Sequence, residues 1–93
     1  MDDETIKLLH SNRRIIGLKQ TVIAVESGQI ETVLLAADAE EHIKQRVTVV
    51  CKRHNVTVIS APPRAAMGRE CGIDVGAAVV GVRKAGNELK GES

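Results

Sequence analysis

Gly17-Leu18-Lys19-Gln20-Thr21 brings together a glycine, a lysine and an amide side chain able to act on one ligand. If a strand gives way to a helix here, the first N–H groups of that helix lack intrahelical partners and its dipole is positive there. A phosphate fits such a terminus, and Lys19 adds a full charge beside it. The Gln20 amide both donates and accepts, so it can read the edge of a base rather than merely attract charge. The segment is not a P-loop, because GxxxxGK[ST] is absent. A second segment, Gly72-Ile73-Asp74-Val75-Gly76, sets two β-branched residues between glycines. The glycines permit sharp or left-handed backbone, and Ile73 and Val75 could then project outward as aliphatic cover for a partner. On chain features alone each segment also has a purely structural reading: a solvated helix start for the first, two core plugs for the second.

The elements that must position these segments follow from hydrophobic spacing. Thr5–Asn12 reads as a short helix with acids at its start, and Ile15–Ile16 as a brief strand ending at Gly17. Lys19–Ser27 reads as a helix with Gly28 at its C-terminal cap. The unbroken apolar run within Thr32–Ala37 is that of a strand covered on both faces. Asp38 is then expected to cap a helix in which Ile43, Val47, Val50, Cys51 and His54 share one face, closed by Asn55. Thr57–Ser60 resumes as a strand, Pro62–Pro63 breaks the chain, Arg64–Glu70 is a helix, and Ala77–Val82 is the last strand. Alternating helix and strand argue for an α/β domain with a sheet of about four strands, Thr32 to Ser60 forming a parallel crossover.

Composition bounds the rest. A chain of 93 residues suits one core; a single domain over residues 1–84 is expected, with 85–93 a flexible tail poor in apolar residues. The net charge of +1 gives no global argument for nucleic acid. Locally, Arg13, Arg14 and Lys19 fall in a stretch free of acids. Phe, Tyr and Trp are absent, which excludes stacking of single-stranded bases on aromatic platforms. No metal-binding spacing involves Cys51 or Cys71, both expected as buried thiols. His10, His42 and His54 lie on separate predicted helices, and no serine has a GxSxG setting, so no catalytic constellation emerges. No cofactor, small-molecule substrate or membrane partner is expected. The acidic start fits neither a secretory signal nor a presequence, and a cytoplasmic protein, monomeric when free, is expected.

In order and separation the two segments resemble the ribosomal-protein family of kink-turn RNA binders, which includes large-subunit proteins and small bacterial homologues. Gly17, Leu18, Lys19 and Gln20 match the family's glycine, spacer, Asn or Lys, then Glu or Gln; the Lys–Gln form is similar to small bacterial members. Thr32–Ala36 followed by Ala37-Asp38-Ala39 resembles its strand and Ala-x-Asp passage. The most specific match runs from Met67 and Gly68 through Gly72, Ile73 and Val75 to Ala77 and Ala78. The resemblance covers about Ile6 to Val82 and implies an α/β/α sandwich that grips a kinked RNA helix. By that resemblance Gly17, Lys19, Gln20 and Thr21 face tandem sheared G·A pairs and phosphates, and Ile73, Asp74 and Val75 cover an extruded nucleotide. Arg13, Arg14, Arg64 and Arg69 supply the nearby positive charge. Two departures reduce that charge: Ile23 stands where many members carry a lysine, and Pro62–Pro63 and Ala65–Ala66 replace lysine-rich sequence. The implied partner is a kink-turn or related structured RNA, ribosomal RNA included; the alternative is a protein-interaction module on the same scaffold, contacting partners through Ile73 and Val75.

Overall fold

The computed structural model describes residues 3–85. The elements in chain order are α1 (Asp3–Leu9), β1 (Arg14–Ile16), α2 (Leu18–Glu26), β2 (Ile30–Ala36), α3 (Glu41–Arg53), β3 (Thr57–Ala61), α4 (Arg64–Cys71) and β4 (Val79–Arg83). The strands form one mixed sheet in the order β1-β4-β2-β3, with β2 and β3 parallel and β4 antiparallel to both β1 and β2. The expected strand count and parallel crossover are both present. The flexible tail expected over 85–93 lies, beyond Ala85, outside the described residues.

Alternation along the strands divides the core between the two faces of the sheet. Leu34, Ala36, Val80 and Val82 pack on one side with Leu9 of α1 and Met67 and Cys71 of α4. Val33 and Val79 pack on the other with Ala24 and Val25 of α2 and Val47 and Cys51 of α3. Ile30 belongs to that second side although its number shares the parity of Leu34; the register shift between Ile30 and Thr32 turns it over. The result is an α/β/α sandwich. As the unbroken apolar run implied, β2 lies inside the sheet with both faces covered.

Direction matters more than order for the site. Because β4 opposes both β1 and β2, and β3 parallels β2, strands β1, β2 and β3 all run toward the same end of the sheet. Each is followed by a helix, so α2, α3 and α4 all begin at that end, and β4 starts there. Three positive dipole ends therefore open on one side of the molecule.

Some details differ from expectation. Helix α1 stops at Leu9 because Ser11 takes the chain into a turn, its hydroxyl accepting the Arg13 N–H at 3.0 Å. Strand β4 starts at Val79 rather than Ala77, because the Ala77 N–H donates to the Arg64 carbonyl instead of the ladder. Asp38 does not cap α3. That helix starts later, at Glu41, its N-cap is Glu40 without a side-chain bond, and Asp38 turns to α4. His54 leaves the apolar face and sits exposed at the C-cap of α3, whose backbone Asn55 then closes with φ 59.

Candidate nucleic-acid interface

The turn into α2 needs Gly17 for its backbone, which holds φ 112 and ψ 151, a region that L side chains rarely enter. Its N–H donates to the Val79 carbonyl at 2.9 Å, and its carbonyl accepts the Thr21 N–H at 3.1 Å. The first of these bonds ties the start of α2 to the start of β4. With Ile16 paired to Val80 in the antiparallel ladder, the Gly17 turn and the end of the Gly72–Ala78 segment lie side by side. Helix α2 has no side-chain cap and no acid in its first turn, so its leading N–H groups remain open to an anion. Lys19 and Gln20 are exposed beside them.

Thr21 is a correction. It is 1% exposed, its hydroxyl donates to the Ile15 carbonyl at 3.4 Å, and its methyl fills the space over Gly81. The reason is helical spacing: Leu18, Thr21, Val22 and Val25 form one stripe turned to the sheet. Thr21 seats α2 and does not face solvent.

The second segment is held along α4. Gly72 closes that helix in the left-handed region, the Ile73 N–H donates to the Gly68 carbonyl at 3.0 Å, and the Ala77 N–H donates to the Arg64 carbonyl at 3.1 Å. Between these bonds the Val75 carbonyl lies directly on Gly68, whose missing Cβ makes the room; a Cβ there would also approach the Gly76 Cα to 3.1 Å. The segment thus doubles back over α4 before entering β4. Its side chains divide: Ile73 is half-buried against the α1 and α4 side of the core, while Asp74 is exposed and Val75 is 70% exposed. Ile73 thus packs on the core, and Val75 projects outward.

The arginines separate as well. Arg64 starts α4 at the same end of the sheet and borders a shallow cavity of about 350 Å³ with Asp38, Ala65 and Gly76. Arg69 is exposed near the other end of α4. Arg13 lies at the far end of β1, donating to the Arg83 carbonyl at 2.9 Å with Glu31 at 3.7 Å. Arg14 donates to the carbonyls of Ser11 and Cys71, both at 3.1 Å, and so ties the turn after α1 to the end of α4. Arg13 and Arg14 are thus not brought to the Gly17 turn.

The remaining reactive groups do not converge. Burial pushes the thiols of Cys51 and Cys71 up; for Cys71 the Arg14 guanidinium partly offsets it. His10 pairs with Glu70 at 2.8 Å and His42 with Glu40 at 3.7 Å, each exposed and apart from the other. Among the described residues no group of His, Cys, Asp and Glu is placed to hold a metal, and no helix is long and apolar enough to cross a membrane.

Sequence and fold comparisons meet this geometry. The model of the ribosomal protein L7Ae/L30e/S12e/Gadd45 family matches residues 2–90. The chain belongs to this family. It is 38% identical over 66 residues to an RNA-binding protein of Caldanaerobacter subterraneus, covering 71% of this chain and 80% of that one. RNA-binding protein YbxF of Geobacillus stearothermophilus is 36% identical over 76 residues, covering 82% of this chain and 93% of that one. Among solved structures, a protein of unknown function from Bacillus halodurans superposes with a TM-score of 0.81 at 28% identity, over 94% of this chain and 91% of that chain. A 15.5 kD RNA-binding protein of Giardia lamblia has the same fold, with a TM-score of 0.79 at 22% identity over 90% of this chain and 78% of that chain.

Two contributors escape a reading of the chain alone. Gly68 was part of the motif without an assigned task, and its only signal is a glycine inside a helix, which costs about 1 kcal/mol relative to alanine and so asks for a reason. Asp38 acts across 26 positions of sequence on Arg64, which no local pattern reveals.

Proposed function

We propose that this protein binds a kink-turn or a closely related structured RNA, as a ribosomal or ribosome-associated component of the cytoplasm, monomeric when free and without a catalytic role. The observation that carries the proposal is the antiparallel pairing of β1 with β4, which sets the open N-terminus of α2 beside the segment bearing Val75. The relatives named as RNA-binding proteins support it.

The two parts do different work. The first-turn N–H groups of α2 and the Lys19 ammonium take up phosphate, while the Gln20 amide reaches base edges in a groove wide enough to admit a helix end. Sheared G·A pairs present edges that a donor–acceptor amide can satisfy, whereas Watson–Crick pairs present others. Asp74 and Val75 lie over an unstacked nucleotide, Ile73 supports them from the core side, and Arg64 and Arg69 add charge along α4. Aliphatic cover takes the place of aromatic stacking in a chain with no aromatic residue. Thr21, Arg13 and Arg14 hold the frame. Protein docking through the same segment is disfavoured: Ile73 is partly committed to the core, and Val75 alone falls far below the roughly 800 Å² per partner of a stable interface.

Titration of the protein with a kink-turn duplex, beside a duplex whose G·A pairs are replaced by Watson–Crick pairs, tests this function. A clear preference for the first is expected; equal affinity for both refutes the proposal.

A further inference from the structure

An acid beside an anion-seeking surface needs an explanation. Asp38 lies just past β2, at the end of the sheet where three helix N-termini open, and its charge lowers the attraction of that end for phosphate. Electrostatics argues against it; bonding explains it. The Asp38 Oδ1 accepts the Arg64 backbone N–H at 2.8 Å, and the Arg64 Nε lies 3.6 Å from the same oxygen. Helix α4 has no other side-chain cap, since its N-cap is Pro63. Arg64 then passes the constraint on. Its carbonyl accepts the Ala77 N–H at 3.1 Å, and the Gly76 backbone lies so close that a Cβ there would sit 3.1 Å from the Arg64 Cβ.

We propose that Asp38 is a positioning residue for the Val75 segment: it fixes the first turn of α4 against β2, and that turn fixes where residues 74–77 lie beside the Gly17 turn. This rests on the proposed RNA function for its consequence, not for its geometry. The needed property is an acceptor at the Asp38 Oδ1 position, so asparagine is a sufficient replacement and alanine is not.

The test compares Asp38→Asn and Asp38→Ala with the wild-type chain by amide hydrogen exchange and by titration with the kink-turn duplex. In Asp38→Ala, the amides of Arg64 and Ala77 should exchange about tenfold faster relative to those of Val33 and Val80, and RNA affinity should fall about fivefold, the size of a lost cap. Asp38→Asn should stay within about twofold of wild type on both readouts, as expected if the acceptor is what matters. Unchanged exchange at Ala77 in Asp38→Ala overturns the proposal. So does a uniform rise at all amides, which would make Asp38 a general stabiliser, or tighter RNA binding by both variants, which would make it a repulsive charge and nothing more. If the wild-type chain bound no RNA, the RNA function would fail while the Ala77 readout still decided the role of Asp38.

Discussion

Replacing Gly68 with alanine sets two effects of opposite sign against each other. Gly68 lies inside α4, where alanine is preferred by about 1 kcal/mol because it loses less backbone freedom on folding. The added Cβ, however, would enter the Val75 carbonyl oxygen and press on the Gly76 Cα at 3.1 Å. Non-bonded heavy atoms settle at roughly 3.5–4.0 Å, so the segment must retreat by about an ångström or more. Its retreat is opposed by the bonds from Ile73 N–H to the Gly68 carbonyl and from Ala77 N–H to the Arg64 carbonyl. Overpacking of this kind costs about 1–3 kcal/mol, and the backbone bonds at risk add about 1 kcal/mol each. The overlap wins. A net loss of about 2–4 kcal/mol corresponds, for a domain of this size, to a fall in Tm of roughly 10–30 °C by thermal denaturation. RNA affinity should fall further than stability accounts for, because the displaced segment carries Val75 away from the Gly17 turn. A Gly68→Ala protein that is more stable than wild type and binds RNA equally well would show that the segment is not seated on this glycine.

Five further substitutions separate the parts of the site. Lys19→Ala should weaken RNA binding and lower the slope of log affinity against log salt by about one, while Lys52→Ala at the far end of α3 leaves both unchanged; salt-dependent titration reads both. Val75→Ala should reduce affinity without moving Tm, whereas Ile73→Ala should lower Tm as well, since only Ile73 packs on the core; paired melting and binding curves check the contrast. Ile23, 49% exposed and one turn beyond Lys19, becomes a phosphate contact as Ile23→Lys, which should tighten binding and steepen the salt slope by about one.

How much of this was legible in the chain depends on the range of the interactions. The strand-like runs and the glycines at 17, 28 and 72 report local backbone demands, and they placed the elements to within a few residues. The antiparallel pairing of β1 with β4, which sets the Gly17 turn beside the Gly72–Ala78 segment, is a long-range arrangement that no local pattern reports. Thr21 reads as a surface residue because threonine is polar, although its spacing with Leu18, Val22 and Val25 belongs to the buried stripe. Arg14 reads as surface charge, yet its two bonds, to carbonyls in the turn after α1 and at the end of α4, hold it inside the fold. Asp38 resembled the cap of the next helix by proximity, and only the tertiary arrangement shows that it caps the one after.

On the proposed function, RNA meets the end of the sheet where α2 begins and the Val75 segment passes. Backbone amide chemical shifts followed during addition of a kink-turn duplex test it most directly. The largest changes should fall on Gly17, Leu18, Lys19 and Gln20 and on Gly72 through Gly76, with the amides of Lys52, Arg53 and His54 unmoved. Changes centred on the C-terminal half of α3, with the Gly17 turn silent, would contradict it.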